Sequence, residues 1–177
     1  MARRYSYDER VTVRGYHFGI RYEPDPDPRP WDDDGHGPVS DWRPLESKRP
    51  GERVIVQDGR SARFYDVAAA QALALREGWN APPYEVPGET ARQRAARAVD
   101  RDFQLMRGWC RDDWQYTGVI VTWIDSDGAP RAPDTSESLW GVDNVDPAYP
   151  SEVASELIAE CIARIEVETP DAVLSEN

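Results

Sequence analysis

The chain has 177 residues, 40% of them hydrophobic, with seven tryptophans and eight tyrosines, and a formal net charge of −12 at pH 7. That length allows a substantial core within one domain, and the large aromatic side chains offset a modest apolar share. No apolar run approaches the roughly 18 residues of a membrane span, and the N-terminal MARRYSYDER lacks the apolar stretch of a secretory leader, so the expectation is a soluble cytoplasmic protein with no membrane association.

Residues 10–22, RVTVRGYHFGIRY, alternate apolar and polar positions and predict a strand, with Gly15 and Gly19 marking bends or a bulge. Residues 23–41 follow as an acidic, proline-rich loop or disordered arm, in which Trp31 or Trp42 is expected to hold the segment to the body. Arg53 to Gln57 predicts a short strand, Asp58-Gly59 a tight turn, and Arg63 to Tyr65 its partner. Asp66 stands where a carboxylate caps a helix over Val67 to Glu77, Gly78 supplies the left-handed stop, and Trp79 is expected to fold back on that helix.

After a connection from Asn80 to Glu89, Thr90 and Gln93 have the spacing of a capping box. The helix they open is expected to run to about Arg107 and end at Gly108, burying Ala95, Val99, Phe103 and Met106 on one face. Gln115 to Ile124 is the most apolar run and predicts a central strand covered on both faces. Asp125 to Gly128 makes a turn, and Ser138 to Val142 is the expected partner strand. A last helix is predicted from a Ser151 cap to about Glu168, with Thr169-Pro170 stopping it and a frayed tail at 170–177. The sum is an α+β chain, read as a single domain over 1–177: a mostly antiparallel sheet of about four to six strands with about three helices packed on one side.

Few residues carry a chemical signature. The DSDG turn lacks the remaining ligands of a calcium loop, adjacent acids Asp32, Asp33 and Asp34 beside His36 do not have converging metal-ligand spacing, and His17 reads as a strand histidine. Cys110 and Cys161 read as two free thiols. No phosphate loop, nucleophile elbow or zinc signature is present, so no catalytic residue, metal or cofactor is assigned. One candidate pocket remains, Trp109, Asp112, Asp113 and Trp114, where paired carboxylates or stacked indoles would serve acid–base chemistry or hold a nucleotide base.

Charge is segregated. Residues 134–177 hold eleven acids and one arginine, while the helix after Thr90 presents Arg92, Arg94, Arg97 and Arg101. Those arginines either contact nucleic acid or pair with the acidic C-terminal helix, within the molecule or across a homodimer; the acidity of that helix favours pairing. The candidate interaction face is therefore acidic: Glu152, Glu156, Glu160, Glu166 and Glu168, with Asp143 and Asp146.

The run Arg63-Phe64-Tyr65-Asp66-Val67 through Glu77-Gly78-Trp79, with Asp102-Phe103, Arg107-Gly108-Trp109-Cys110, Asp113-Trp114, Gly118-Val119 and Ser138-Leu139-Trp140-Gly141, resembles a group of small acidic proteins of tailed phages and prophages. The resemblance spans about residues 53–165, rests on aromatic and structural positions, and implies an accessory phage protein in the host cytoplasm with no activity attached. With the charge pattern, it leads to the expectation of a non-catalytic protein that binds a basic surface on a host nucleic-acid-binding defence protein, such as a restriction enzyme or CRISPR effector, as a nucleic-acid mimic.

Overall fold

The computed structural model describes residues 6–26, 28–32, 35–131 and 136–168. In chain order the elements are β1 (Glu9–Val13), β2 (Tyr16–Pro24), β3 (Arg43–Pro44), β4 (Glu52–Asp58), β5 (Ser61–Asp66), α1 (Val67–Glu77), α2 (Ala91–Trp109), β6 (Tyr116–Ile124), β7 (Ser136–Asp143) and α3 (Tyr149–Glu168), with short 3-10 turns at Pro30–Asp32 and Leu45–Ser47. The architecture is α+β, with every strand pairing antiparallel, as the sequence predicts. The strands form two sheets rather than one, ordered β1-β2-β6-β7 and β3-β5-β4. The reason lies in the connectivity: the chain divides into two compact units, one from 1–28 with 115–177 and one from 29–114. No helix among the described residues is long and apolar enough to cross a membrane.

In the first unit the predicted strand at 10–22 is a hairpin. Arg14 (φ 53°) and Gly15 (φ 85°) turn the chain between Val13 and Tyr16. Two successive left-handed residues match the twist of the flanking strands, and the cost to a non-glycine at Arg14 is about 1–2 kcal/mol. One face of this sheet, with Phe18, Ile20, Val119, Val121 and Trp123, packs against Val153, Ala154, Leu157, Ile158, Cys161, Ile162 and Ile165 of α3. Helical spacing puts those seven on one stripe, and each large side chain fully buried stabilises by about 1.5–3 kcal/mol. On the other face, Gly118 lies directly under the Trp140 ring while Ile120 and Thr122 are only partly buried, so β6 is covered fully on one side and in part on the other.

α3 starts at Tyr149, two residues before the predicted Ser151 cap. The Asp146 carbonyl accepts from Tyr149 N at 3.1 Å and the Asp146 carboxylate from Ala148 N at 2.9 Å. Pro150 suits a first turn because the amide hydrogen it lacks would have no helical partner there. The predicted stop at Thr169-Pro170 and the tail at 170–177 lie outside the described residues.

The second unit follows local signals closely. β4 and β5 pair through a turn at Gly59-Arg60, Asp66 Oδ1 accepts from Ala69 N at 2.9 Å, Gly78 is left-handed (φ 71°), and Trp79 N donates back to Ala74 O at 2.9 Å. The capping box at Thr90 and Gln93 is complete in both directions. α2, however, passes through Gly108 to Trp109. Gly108 is not a terminator but a close approach: a Cβ there would stand 3.1 Å from the Trp114 indole, and the left-handed residue comes later, at Asp112 (φ 59°). The core gathers Ile55, Tyr65, Ala70, Ala74, Ala95, Val99, Phe103 and Met106, with Trp31 and Trp79 packed against it. Trp31 holds the acidic arm, meeting Trp109 edge to face at 5.1 Å.

Candidate interaction surface

α3 sorts its carboxylates by helical geometry. Glu152, Glu156 and Glu160 follow one another at intervals of four, so they form one exposed row about 6 Å apart in rise. Among the described residues none of the three has a cationic partner. Glu166 is also exposed but lies 3.9 Å from Arg14, and Glu168 is exposed at the helix end. Glu137, on β7, binds Arg164 of α3. Asp143 and Asp146 do not join the row. Each accepts a backbone amide two residues on, from Val145 at 3.1 Å and Ala148 at 2.9 Å, and serves the turn into α3.

Arg94 and Arg97 of α2 are ion-paired. Their partners come from the same unit. Arg97 grips Glu89 with Nε at 2.9 Å and Nη2 at 2.8 Å, and also bonds Asn80 and the Ala81 carbonyl. Arg94 approaches the same carboxylate at 3.8 Å, and Asp100 on α2 takes Arg53 at 2.7 Å. The hydrogen bond from Arg97 is the largest influence holding the Glu89 carboxyl below its usual range. Arg97 is thus a clamp on the 80–89 connection, while Arg92, Arg94 and Arg101 are exposed.

At the tryptophan junction one ring is already engaged by the protein itself. Trp114 is buried, donates from Nε1 to Leu105 O at 2.8 Å and lies on Gly108, so its ring is engaged by the end of α2. Asp112 and Asp113 are exposed beside it, and their backbone amides close the turn on Trp109 O and Gly108 O at 3.1 and 3.0 Å.

Patterning missed a buried carboxylate with three hydrogen-bond partners. Asp102, buried on α2, accepts from Tyr65 Oη at 2.6 Å, from Gly37 N at 2.8 Å and from the His36 ring at Nδ1, also 2.6 Å away. Burial, then Asp102, push the Tyr65 phenol far above its ordinary range, so it remains a donor. The signal was present: Ala98, Asp102 and Met106 recur at intervals of four on the buried face. An aspartate orienting a histidine occurs in hydrolases, but among the described residues no hydroxyl or thiol bonds the other His36 nitrogen. His36 and Gly37 thereby lock the 35–40 segment onto α2, and Tyr65 ties β5 to the same carboxylate.

Asp32 and His36 each have a partner of another kind. Asp32 is paired with Arg29 at 2.6 Å, His36 with Asp102, and Asp33 and Asp34 lie outside the described residues. His17 bonds the Thr12 hydroxyl at 2.8 Å. In the DSDG turn, Asp125 Oδ1 accepts from Ala129 N and Asp127 N at 2.8 and 2.9 Å; these bonds, Ala129 first, lower its pKa, and the carboxylate closes a turn. Burial raises both thiols to about 11, so Cys110 and Cys161 stay protonated at neutral pH. Among the described residues no three metal-ligating side chains cluster. Comparison with family models, curated proteins and solved structures returned no match.

Proposed function

We propose that the protein is a non-catalytic binding module of phage origin, acting in the host cytoplasm, whose acidic α3 face engages the basic surface of a host nucleic-acid-binding protein and blocks it. The observation that carries this reading is the row Glu152, Glu156, Glu160: three exposed carboxylates on a rigid helix, spaced by one turn, with no cationic partner among the described residues. A strand of duplex DNA presents one phosphate per 3.4 Å of axis, so a helix bearing a carboxylate each ~6 Å is a sparser line of negative charge that the same arginines and lysines can meet. Holding the acids on a helix also removes most of the ordering cost that a flexible acidic tail would bear on binding.

The alternative of direct nucleic-acid binding through α2 is weakened by the commitment of Arg94 and Arg97 to Glu89. Nucleotide binding at Trp109 to Trp114 is weakened by the burial of Trp114. The test is a pull-down from host lysate over rising salt, comparing wild type with Glu152→Gln/Glu156→Gln/Glu160→Gln. The reading expects a basic nucleic-acid-binding protein retained at low salt, released by competing duplex DNA, and lost with the triple variant. Retention of no basic protein at low salt, or equal retention by the variant, refutes it.

A further inference from the structure

α3 does not cover its sheet evenly. It packs mainly on β6 and β7, and the same face of β1 and β2 is left with Val11, Val13, Tyr16 and Tyr22 only partly buried. Between β1 and α3 this leaves an open groove of about 290 Å³, floored by Ile158 and Ile162 and walled by Val13 on one side and Ala159 and Ala163 on the other. Arg14 and Glu166 stand at its rim, 3.9 Å apart and with 71% and 49% of their side chains exposed, an ion pair too open to contribute much to stability.

Resting on the acidic-face reading above, we infer that this groove receives a basic amphipathic helix of the partner, laid alongside α3. Small side chains at 159 and 163 let a second helix approach closely, and apolar side chains inserted between Val13 and Ile158 fill space that now lacks contact atoms. Charge selects the occupant. On the helical surface Ala159 and Ala163 border the row Glu152, Glu156 and Glu160, while Glu166 shares the groove itself. A helix seated on the apolar floor thus has acids along its flank and needs lysines or arginines there. A second copy of this chain fits badly, because its own α3 brings like charge to that row.

The probe is a synthetic leucine–lysine amphipathic helix of about five turns, with a control of the same composition scrambled to abolish the apolar stripe. Affinity is measured by isothermal titration against wild type, Ala159→Trp, Ala163→Trp and Glu152→Gln/Glu156→Gln/Glu160→Gln, each checked by circular dichroism for unchanged helix content. The outer positions 159 and 163 are exposed, so a tryptophan there obstructs the groove without entering the core. The inference expects wild type to prefer the amphipathic peptide, each tryptophan variant to weaken it by about tenfold or more, and the triple variant to weaken it and flatten its salt dependence. Binding unaffected by both tryptophans, or no preference over the scrambled peptide, overturns the groove while leaving the acidic row standing. Loss with the tryptophans but full affinity and salt dependence in the triple variant supports the groove and overturns the acidic-face reading from which the partner's basicity follows.

Discussion

Asp102 makes the clearest claim at the level of single residues. Its carboxylate satisfies a phenol, an imidazole and a backbone amide at once, so replacing it strands three donors in a poorly hydrated place. Asp102→Ala is expected to cost about 3 kcal/mol or more, at about 1–3 kcal/mol for each buried group left unpaired, read as a lower midpoint in urea. Gly37 belongs to the same lock: a Cβ there would lie 2.3 Å from the Tyr65 ring, so Gly37→Ala should destabilise strongly by forcing apart two bonded partners. Glu52 gives a pH signature. Burial alone would raise its pKa, but the Arg49 amide and the Arg43 guanidinium, each 2.7 Å away, hold it below the ordinary 4.5. A carboxyl depressed in the folded state stabilises fully above its unfolded value, and the contribution disappears as pH falls through the folded one. Wild type should therefore lose stability through the acid carboxylate range more steeply than Glu52→Gln, measured by thermal denaturation at stepped pH.

At the scale of elements, what was legible in the sequence is what short-range chemistry decides. Asp66, Gly78, Thr90 and Gln93 each act within a turn of the chain, and the helices they bound begin where those side chains predict. The central run 115–124 was legible because apolar continuity has few other meanings at that length. What was hidden depends on distant partners. The turn at Arg14-Gly15 uses an arginine where asparagine or glycine would announce it, and Gly108 imitates a helix stop because nothing local shows Trp114 arriving on it. Asp102 was masked by its charge, although its spacing matches the buried face. α3 owes its position to packing: Ile165, 1% exposed, should cost about 2–5 kcal/mol when cut to alanine. Glu156→Gln, by contrast, touches no described partner and should leave the unfolding midpoint within about 0.5 kcal/mol of wild type.

Across the whole chain, the two units divide the charge unequally. The unit from 1–28 with 115–177 holds eighteen acidic residues and seven basic ones, and the unit from 29–114 holds fifteen and fourteen, so nearly all of the net −12 falls in the first. Linear charge blocks obscured this, because the arginine-rich opening residues fall in the same unit as the acidic C-terminal segment while the arginine helix belongs to the other. Within the second unit, Glu89 pairs with Arg94 and Arg97 of α2, and Asp100 of α2 pairs with Arg53. Glu152, Glu156 and Glu160 of α3 have no cationic partner among the described residues, and on the reading proposed above they serve contact with something outside the chain. The most direct measurement is the affinity of the retained host protein as a function of salt, for wild type and for the Glu152, Glu156, Glu160 triple glutamine variant. A steep weakening with salt in wild type and a weaker, markedly flatter response in the variant is the predicted result; superimposable curves would contradict the claim that these three carboxylates form the contact.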